Sequence, residues 1–403
     1  MKVSCTLCRG IKHFCGLSYC PVLVRARLSI KISKVHNSDS LYGSTPPAIF
    51  IPCRTMLTPH LLTPPELGDT SIYDTYELWL SKDLTEIVTL RCSLIGSYSA
   101  INNYDFLSKL QEIALSRKPV DVEVKFKKKP HFEIVLSEYL PPRGPSIPLR
   151  KLVITSNVSI EKCVYKVCSD ELKANEAVIE LYLNKVPISR IERIFSSGVL
   201  GARRNRKIVP TRWSITAVDS IISNYLISKI KKYPLINDYL IFHREYANNL
   251  FIIILIPQVW SYEWVEVSFP GSVWNLYGIN VDIASDYEDY RGRISYASTG
   301  GCYYAARLAV TEYLSKINRQ ASVLVWREIY RGFNLPIGVW FVRENVRRTF
   351  DTRPERFNSI IEVLNYIQKI SKINIQTWIK YSTILQKILY QESLTRYLRY
   401  GKV

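Results

Sequence analysis

The chain has 403 residues, 47% of them apolar, which is enough to bury a sizeable core and to form more than one structural unit. Lysine and arginine number 54 against 35 acids, a formal charge of +19, so the surface potential favours polyanions, with nucleic acid the first candidate partner. The longest strongly apolar run, Leu250 to Pro257, falls far short of the roughly 20 residues of a membrane-spanning helix, and the N-terminus carries cysteines and lysine where a signal peptide is apolar, so a cytoplasmic protein with no membrane partner is expected.

The first motif is CTLCRGIKHFCGLSYCP, which places Cys5, Cys8, Cys15 and Cys20 in a C-x2-C-x6-C-x4-C spacing. One short turn can present each pair of thiolates to a tetrahedral ion, and four thiolates close the shell, so the expected occupant is a structural zinc; an iron–sulfur cluster accepts the same donors. His13 lies inside the loop as an alternative ligand. The other cysteines, Cys53, Cys92, Cys163, Cys168 and Cys302, read as scattered small core residues.

Residues 40 to 70 are rich in proline, serine and threonine and read as an irregular connection. Short β-type runs are expected from Leu78 to Ile95, as in EIVTLRCSLI, and VDVEVKFKKK alternates at period two. Lys125 to Lys129 at its end read as a solvated run on an edge strand. The proline-dense YLPPRGPSIPLRK is taken as a domain boundary. A helix is expected after Asp170 as N-cap, and a longer one from Ser214, with Ile215, Val218, Ile221, Ile222, Tyr225, Leu226 and Ile230 at helical spacing. YLIFHREY, LFIIILIP and YEWVEVSF read as three successive strands of an antiparallel meander, turning at Asn248-Asn249 and Pro257-Gln258. A helix from about Tyr303 to Lys316, the strand ASVLVWREIY and two helices at about 355 to 371 and 375 to 390 complete the pattern.

These elements give an α+β fold class: a zinc-binding segment (1–25), a β-rich domain (26–145), an α+β core domain (146–390) with an antiparallel sheet, flanking helices and a C-terminal helical region, and a tail (391–403).

Between Arg190 and Arg212 stand seven basic residues, Arg190, Arg193, Arg203, Arg204, Arg206, Lys207 and Arg212, against one acid, Glu192. The stretch holds Gly198, Gly201 and Pro210, so it reads as a loop whose charges converge on a phosphate, with the start of the following helix adding amide donors. The structural alternative is a solvated charge run.

Five segments together resemble the archaeal Nre family over nearly the full chain: the cysteine cluster, SSGVLGARRNRKIVPTRWSITAVDS, NNLFIIILIPQVWSYEWVEV, RGRISYASTGGCYYAARLAVTEYL and PIGVWFVRENVRR. The resemblance implies a protein of genome maintenance with an N-terminal zinc-binding segment and, in one branch, a C-terminal box for the sliding clamp PCNA. It supplies no settled enzymatic mechanism. The last residues, QESLTRYLRYGKV, place Gln391, Leu394, Tyr397 and Leu398 in the Q-x-x-h-x-x-a-a order of clamp-binding boxes, with leucine at the final position where an aromatic is commoner. The same spacing also suits a helix end packed on the core.

The expected function is thus a DNA repair or replication-associated protein that binds DNA and docks on PCNA. An enzymatic alternative rests on Arg212, Ser298 and Glu328, in the order that ADP-ribosyl-transferring enzymes use to hold NAD and stabilise an oxocarbenium-like transition state, acting on nucleic acid or protein. The turn YASTGGCYYAAR would let amides approach a phosphate or nicotinamide, and His243, Glu245 and Glu344 are further polar residues in apolar segments. No acidic cluster spaced for catalytic magnesium is present, which argues against a hydrolytic nuclease.

Overall fold

The structure, a computed structural model, describes residues 38–53, 57–129, 140–275, 277–333 and 336–390. They fall into two units, one of residues up to Tyr225 together with the segment ending at Glu344, the other of Leu226–Phe333 and the chain from Asn345 onward. Among the described residues each unit contains a six-stranded sheet, so the α+β class holds.

The first sheet comprises β1 (Ser40–Thr45), β2 (Ile49–Phe50), β3 (His60–Thr63), β4 (Ile95–Tyr98), β5 (Val120–Phe126) and β6 (Ser146–Ile154), in the order β1-β5-β6-β4-β3-β2. The β4–β6 pair is parallel and the others are antiparallel. The expected period-two strand is β5: Val120, Val122, Val124 and Phe126 turn inward against Phe106, Leu110, Ile113 and Ala114. β5 lies between β1 and β6, so it is not the edge strand expected from its lysines. The proline-dense stretch leads into β6, which pairs with both β4 and β5.

Helices surround this sheet: α1 (Leu84–Cys92), α2 (Tyr104–Leu115), α3 (Lys162–Ser169), α4 (Ala174–Leu183) and α5 (Ile188–Ser196). EIVTLRC is therefore helical and not a strand. Asp83 caps it by accepting from the Glu86 amide, and burial of Ile87, Val88, Arg91 and Cys92 follows helical spacing, so cap and tertiary burial override the β-branched composition. Asp170 ends α3 instead of opening the next helix. Of the five later cysteines only Cys92 is buried; Cys53 is exposed and the rest are half-buried.

Helix α6 (Thr211–Ile230) starts one turn earlier than expected, and the division between units falls within it. The second sheet follows: β7 (Tyr239–Tyr246), β8 (Asn249–Ile256), β9 (Ser261–Ser268), β10 (Asp282–Glu288), β11 (Ser322–Ile329) and β12 (Glu355–Phe357), in the order β10-β9-β11-β8-β7-β12. β7 and β8 form the expected hairpin, turning through Ala247 and Asn248, both at positive φ. The expected meander stops there. β11 inserts between β8 and β9, antiparallel to the first and parallel to the second. Every residue of β8 and of β11 is buried, and two such strands both belong in the middle of a sheet.

Helix α7 (Gly301–Ile317) carries the crossover to β11 on one face, where the Tyr262 hydroxyl donates to the Tyr303 carbonyl at 3.1 Å. The opposite face packs under α9 (Ile360–Ile370), α10 (Ile375–Tyr381) and α11 (Thr383–Tyr390), which follow α8 (Trp340–Thr349). Trp326 stacks on Trp378 there at 3.8 Å. The second C-terminal helix is divided at Ser382, because buried Glu263 accepts hydrogen bonds from the Ser382 hydroxyl (2.6 Å) and from the amides of Thr383 (2.7 Å) and Ile384 (3.0 Å), starting a new helix.

Candidate functional site

The loop between α5 and α6 begins at the buried pair Ser196 and Ser197. Ser196 fixes its base twice, by donating its hydroxyl to the Val209 carbonyl at 2.7 Å and by accepting the Val209 amide at 3.0 Å. Gly198, at φ +76°, sits so close that an added Cβ would lie 2.7 Å from the Ile208 nitrogen, so only glycine fits. The loop is thereby closed at its neck.

The seven basic residues do not converge on one point. Arg190 is buried in α5, 2.8 Å from Glu161, and donates to the Leu115 carbonyl. Arg193 bridges Asp74 (3.1 Å) and the Pro46 carbonyl (2.7 Å). Arg206 turns back on the backbone, donating to the Gly201 carbonyl at 2.8 Å and to the Cys168 carbonyl at the end of α3 at 2.6 Å. Arg203, Arg204 and Lys207 are exposed; Arg203 faces Glu171 at 3.7 Å with both side chains in solvent. Arg212 lies half-buried in the first turn of α6.

Beneath the loop is a cluster of buried charges that the sequence pattern does not isolate. Arg343 donates to Glu192 at 2.8 Å and to Asp219 at 2.5 Å, with Glu344 3.5 Å away. Arg91 meets Asp74 at 2.5 Å, so Asp74 is held between two guanidiniums. Glu77 accepts from the Ser189 amide (3.2 Å) and hydroxyl (3.0 Å), satisfying the first turn of α5, whose cap position is Pro187. Trp79 packs edge-on against Trp340 at 4.8 Å. A cavity of about 20 Å³ lies beside the cluster, lined by Asp74, Arg91, Glu192, Arg193, Ser196 and Thr211 among others. That volume holds about one water, far below a small-molecule site. The cluster thus organises the loop. Its only sequence signal is the lone acid Glu192 among arginines, and no periodicity relates positions 192, 219 and 343.

One buried guanidinium cannot balance two adjacent carboxylates. Burial, and secondarily the Asp219 charge, push the Glu192 carboxyl up from 4.5 to about 8 against the pull of Arg343. The Glu192 Oε2 atom has no hydrogen-bond partner among the described residues, which suits a protonated carboxyl. Burial disfavours the Arg343 charge, but Asp219, Glu192 and Glu344 outweigh it and hold the guanidinium well above its ordinary range.

The three residues of the enzymatic alternative do not belong to one unit. Arg212 belongs to the first unit, Ser298 and Glu328 to the second. Glu328 lies on the α9–α11 face of the second sheet, with its oxygens occupied by Trp326 (3.2 Å), Tyr330 (2.8 Å), the Ser371 hydroxyl and the Lys372 amide (3.1 Å). Ser298 is on the α7 face, donating to Asp286 at 2.9 Å. The sheet separates them. Asp286 also takes the Thr299 amide and hydroxyl at 2.7 Å each and pairs with Arg293 at 2.9 Å, so the YASTGG turn already holds an anion, one of the protein's own. Burial alone would raise Asp286, but these donors hold its carboxyl below the usual range. His243 bonds the Tyr366 hydroxyl at 3.0 Å.

The cysteines at 5, 8, 15 and 20 and the box residues Gln391, Leu394, Tyr397 and Leu398 lie outside the described residues. No helix among the described residues is long and apolar enough to cross a membrane.

Comparison with known proteins assigns residues 14–275 to the family model described as archaeal Nre, N-terminal, and residues 288–397 to archaeal Nre, C-terminal. The chain is 39% identical to the DNA repair protein NreB of Archaeoglobus fulgidus, over 96% of this chain and 97% of that one. It is 34% identical to DNA repair protein NreA of the same organism (90% and 93% covered) and 33% identical to NreA of Haloferax volcanii (78% and 79% covered). No solved structure matches.

The Glu192 cluster makes a pH-dependent contribution with a definite sign. Between about pH 4.5 and 8 the folded protein keeps a proton that the unfolded chain releases, so this group's contribution to stability falls as pH rises through that window. Glu192→Gln should flatten the decline. Urea midpoints at pH 5 and pH 8 measure it, and an unchanged difference between parent and variant would refute the assignment.

Proposed function

The chain belongs to the archaeal Nre family, and from that premise we propose a DNA-repair protein that grips nucleic-acid phosphates on the loop between α5 and α6. The observation that carries this reading is the division among the basic residues. Arg190, Arg193 and Arg206 bind carboxylates and carbonyls of the protein itself, whereas Arg203, Arg204 and Lys207 stand exposed on the backbone those bonds brace. Arginine forks and a lysine held on an ordered loop meet phosphate oxygens with little further loss of entropy. The relatives from both organisms bear the name DNA repair protein.

Two further parts of the proposal rest on residue chemistry. Cys5, Cys8, Cys15 and Cys20 would hold a structural zinc that fixes the N-terminus, since four thiolates leave no open position for a reaction. The tail would dock on the PCNA clamp through Gln391, Leu394, Tyr397 and Leu398, with Arg396, Arg399 and Lys402 suited to an acidic partner surface. Helix α11 is anchored by Glu263 and by buried Ile384 and Leu385, so a chain ending at Tyr390 keeps these contacts.

Replacing Arg203, Arg204 and Lys207 with alanine should weaken DNA binding and lower the slope of log affinity against log salt by about 2 to 3; an unaltered slope would sink the loop assignment. Calorimetric titration of PCNA should give binding by the full chain and none by the chain ending at Tyr390, and equal binding by both would return the tail to a helix end. Metal analysis should find about one zinc per chain, with a folded, metal-free protein counting against the cysteine site.

A further inference from the structure

Of the chain's eight tryptophans, Trp79, Trp260, Trp264, Trp326, Trp340 and Trp378 are fully buried, and Trp274 is half-buried. Trp213 is 59% exposed. It stands in the first turn of α6, six residues after Lys207, within about 20 Å of it along even a fully extended chain. A single exposed apolar side chain is ordinary on a protein surface. Here a second one accompanies the same loop. Tyr165, 66% exposed, lies on α3 between exposed Lys162 and Lys166, and the C-terminal end of that helix is where Arg206 ties the loop down, at the Cys168 carbonyl. Three residues of helix, about 4.5 Å of rise, separate Tyr165 from that bond.

Building on the phosphate-binding reading above, we propose that Trp213 and Tyr165 are base-stacking platforms flanking the cationic loop, and that the nucleic acid held there is single-stranded. A tryptophan left in solvent beside exposed cations forgoes the gain that burying its large apolar ring would bring. Ring faces beside a positive track match the chemistry of single strands, whose bases offer their flat faces and whose backbone offers phosphates. In a duplex those faces are hidden by their neighbours. Arg203, Arg204 and Lys207 then set the salt dependence, and the two rings set the preference for unpaired strands.

The experiment is a fluorescence titration of the full chain with an oligothymidylate of about 16 nucleotides and with a blunt hairpin duplex of equal length. Oligothymidylate should quench tryptophan emission. Trp213→Phe should remove most of the quenching while binding persists, because the fully buried indoles cannot reach the bases. Trp213→Ala and Tyr165→Ala should each weaken single-strand affinity by about five-fold to a hundred-fold without altering the salt slope, and neither should affect the duplex comparably. Equal oligothymidylate affinity in parent and both alanine variants, or a preference for duplex, would overturn stacking while leaving the loop assignment intact. A slope that falls with Arg203, Arg204 and Lys207 removed, in a protein indifferent to Trp213, would likewise overturn stacking alone. A parent binding neither polymer at low salt would overturn both.

Discussion

The geometry of the cationic loop depends on one buried guanidinium. Arg343 reaches Glu192 on α5 and Asp219 on α6, and the loop is the chain that joins those two helices. Ser214 adds a direct tie, donating its hydroxyl to the Glu192 carbonyl at 2.5 Å. Both ends of the loop are thus set by a residue more than a hundred positions further along the chain. Removing one member of such a cluster leaves a buried charge without its counterpart, which is far more destabilising than any surface ion pair is stabilising. The loop's own bonds, from Ser196 to Val209 and from Arg206 to Cys168, then act on a frame that is already in place.

The second unit uses its acids for the same kind of work. Glu263 starts α11, Asp286 occupies the turn before α7, and Glu328 fastens the turn after α9. Each of these carboxylates accepts three or more hydrogen bonds from neighbouring backbone and side chains. A carboxylate so engaged is bound into the architecture, and freeing it to meet a substrate would forfeit those bonds. That is why buried acids that look reactive in a sequence here belong to helix ends.

How much of this is legible in the sequence follows from the range of the interactions involved. β5, the β7–β8 hairpin and α7 are readable because their hydrophobic period lies within a few residues. EIVTLRC reads as a strand and folds as a helix because the Asp83 cap and burial decide it, and both outweigh β-branched content. The place of β11 between β8 and β9 is hidden because strand order is a property of the assembled sheet; two fully buried strands far apart in the chain can only hint that both lie away from an edge. The basic loop itself is visible as composition. Its division into bracing and exposed arginines is not, since the carbonyls that absorb Arg193 and Arg206 belong to Pro46 and Cys168, positions with no strongly polar side chain to mark them.

That division resolves a physical conflict in the loop. Several cations packed into a short stretch repel one another, and an unsupported chain would relieve the repulsion by spreading, at the expense of any defined binding geometry. Turning Arg190 and Arg193 inward onto Glu161 and Asp74 removes two charges from the crowd and converts them into anchors. Arg206 keeps its charge but fixes the backbone through neutral carbonyls. The remaining cations are few enough to coexist in solvent and rigid enough to arrive at a polyanion together, so attraction that long-range charge alone would spread over the whole surface is concentrated at one place on it.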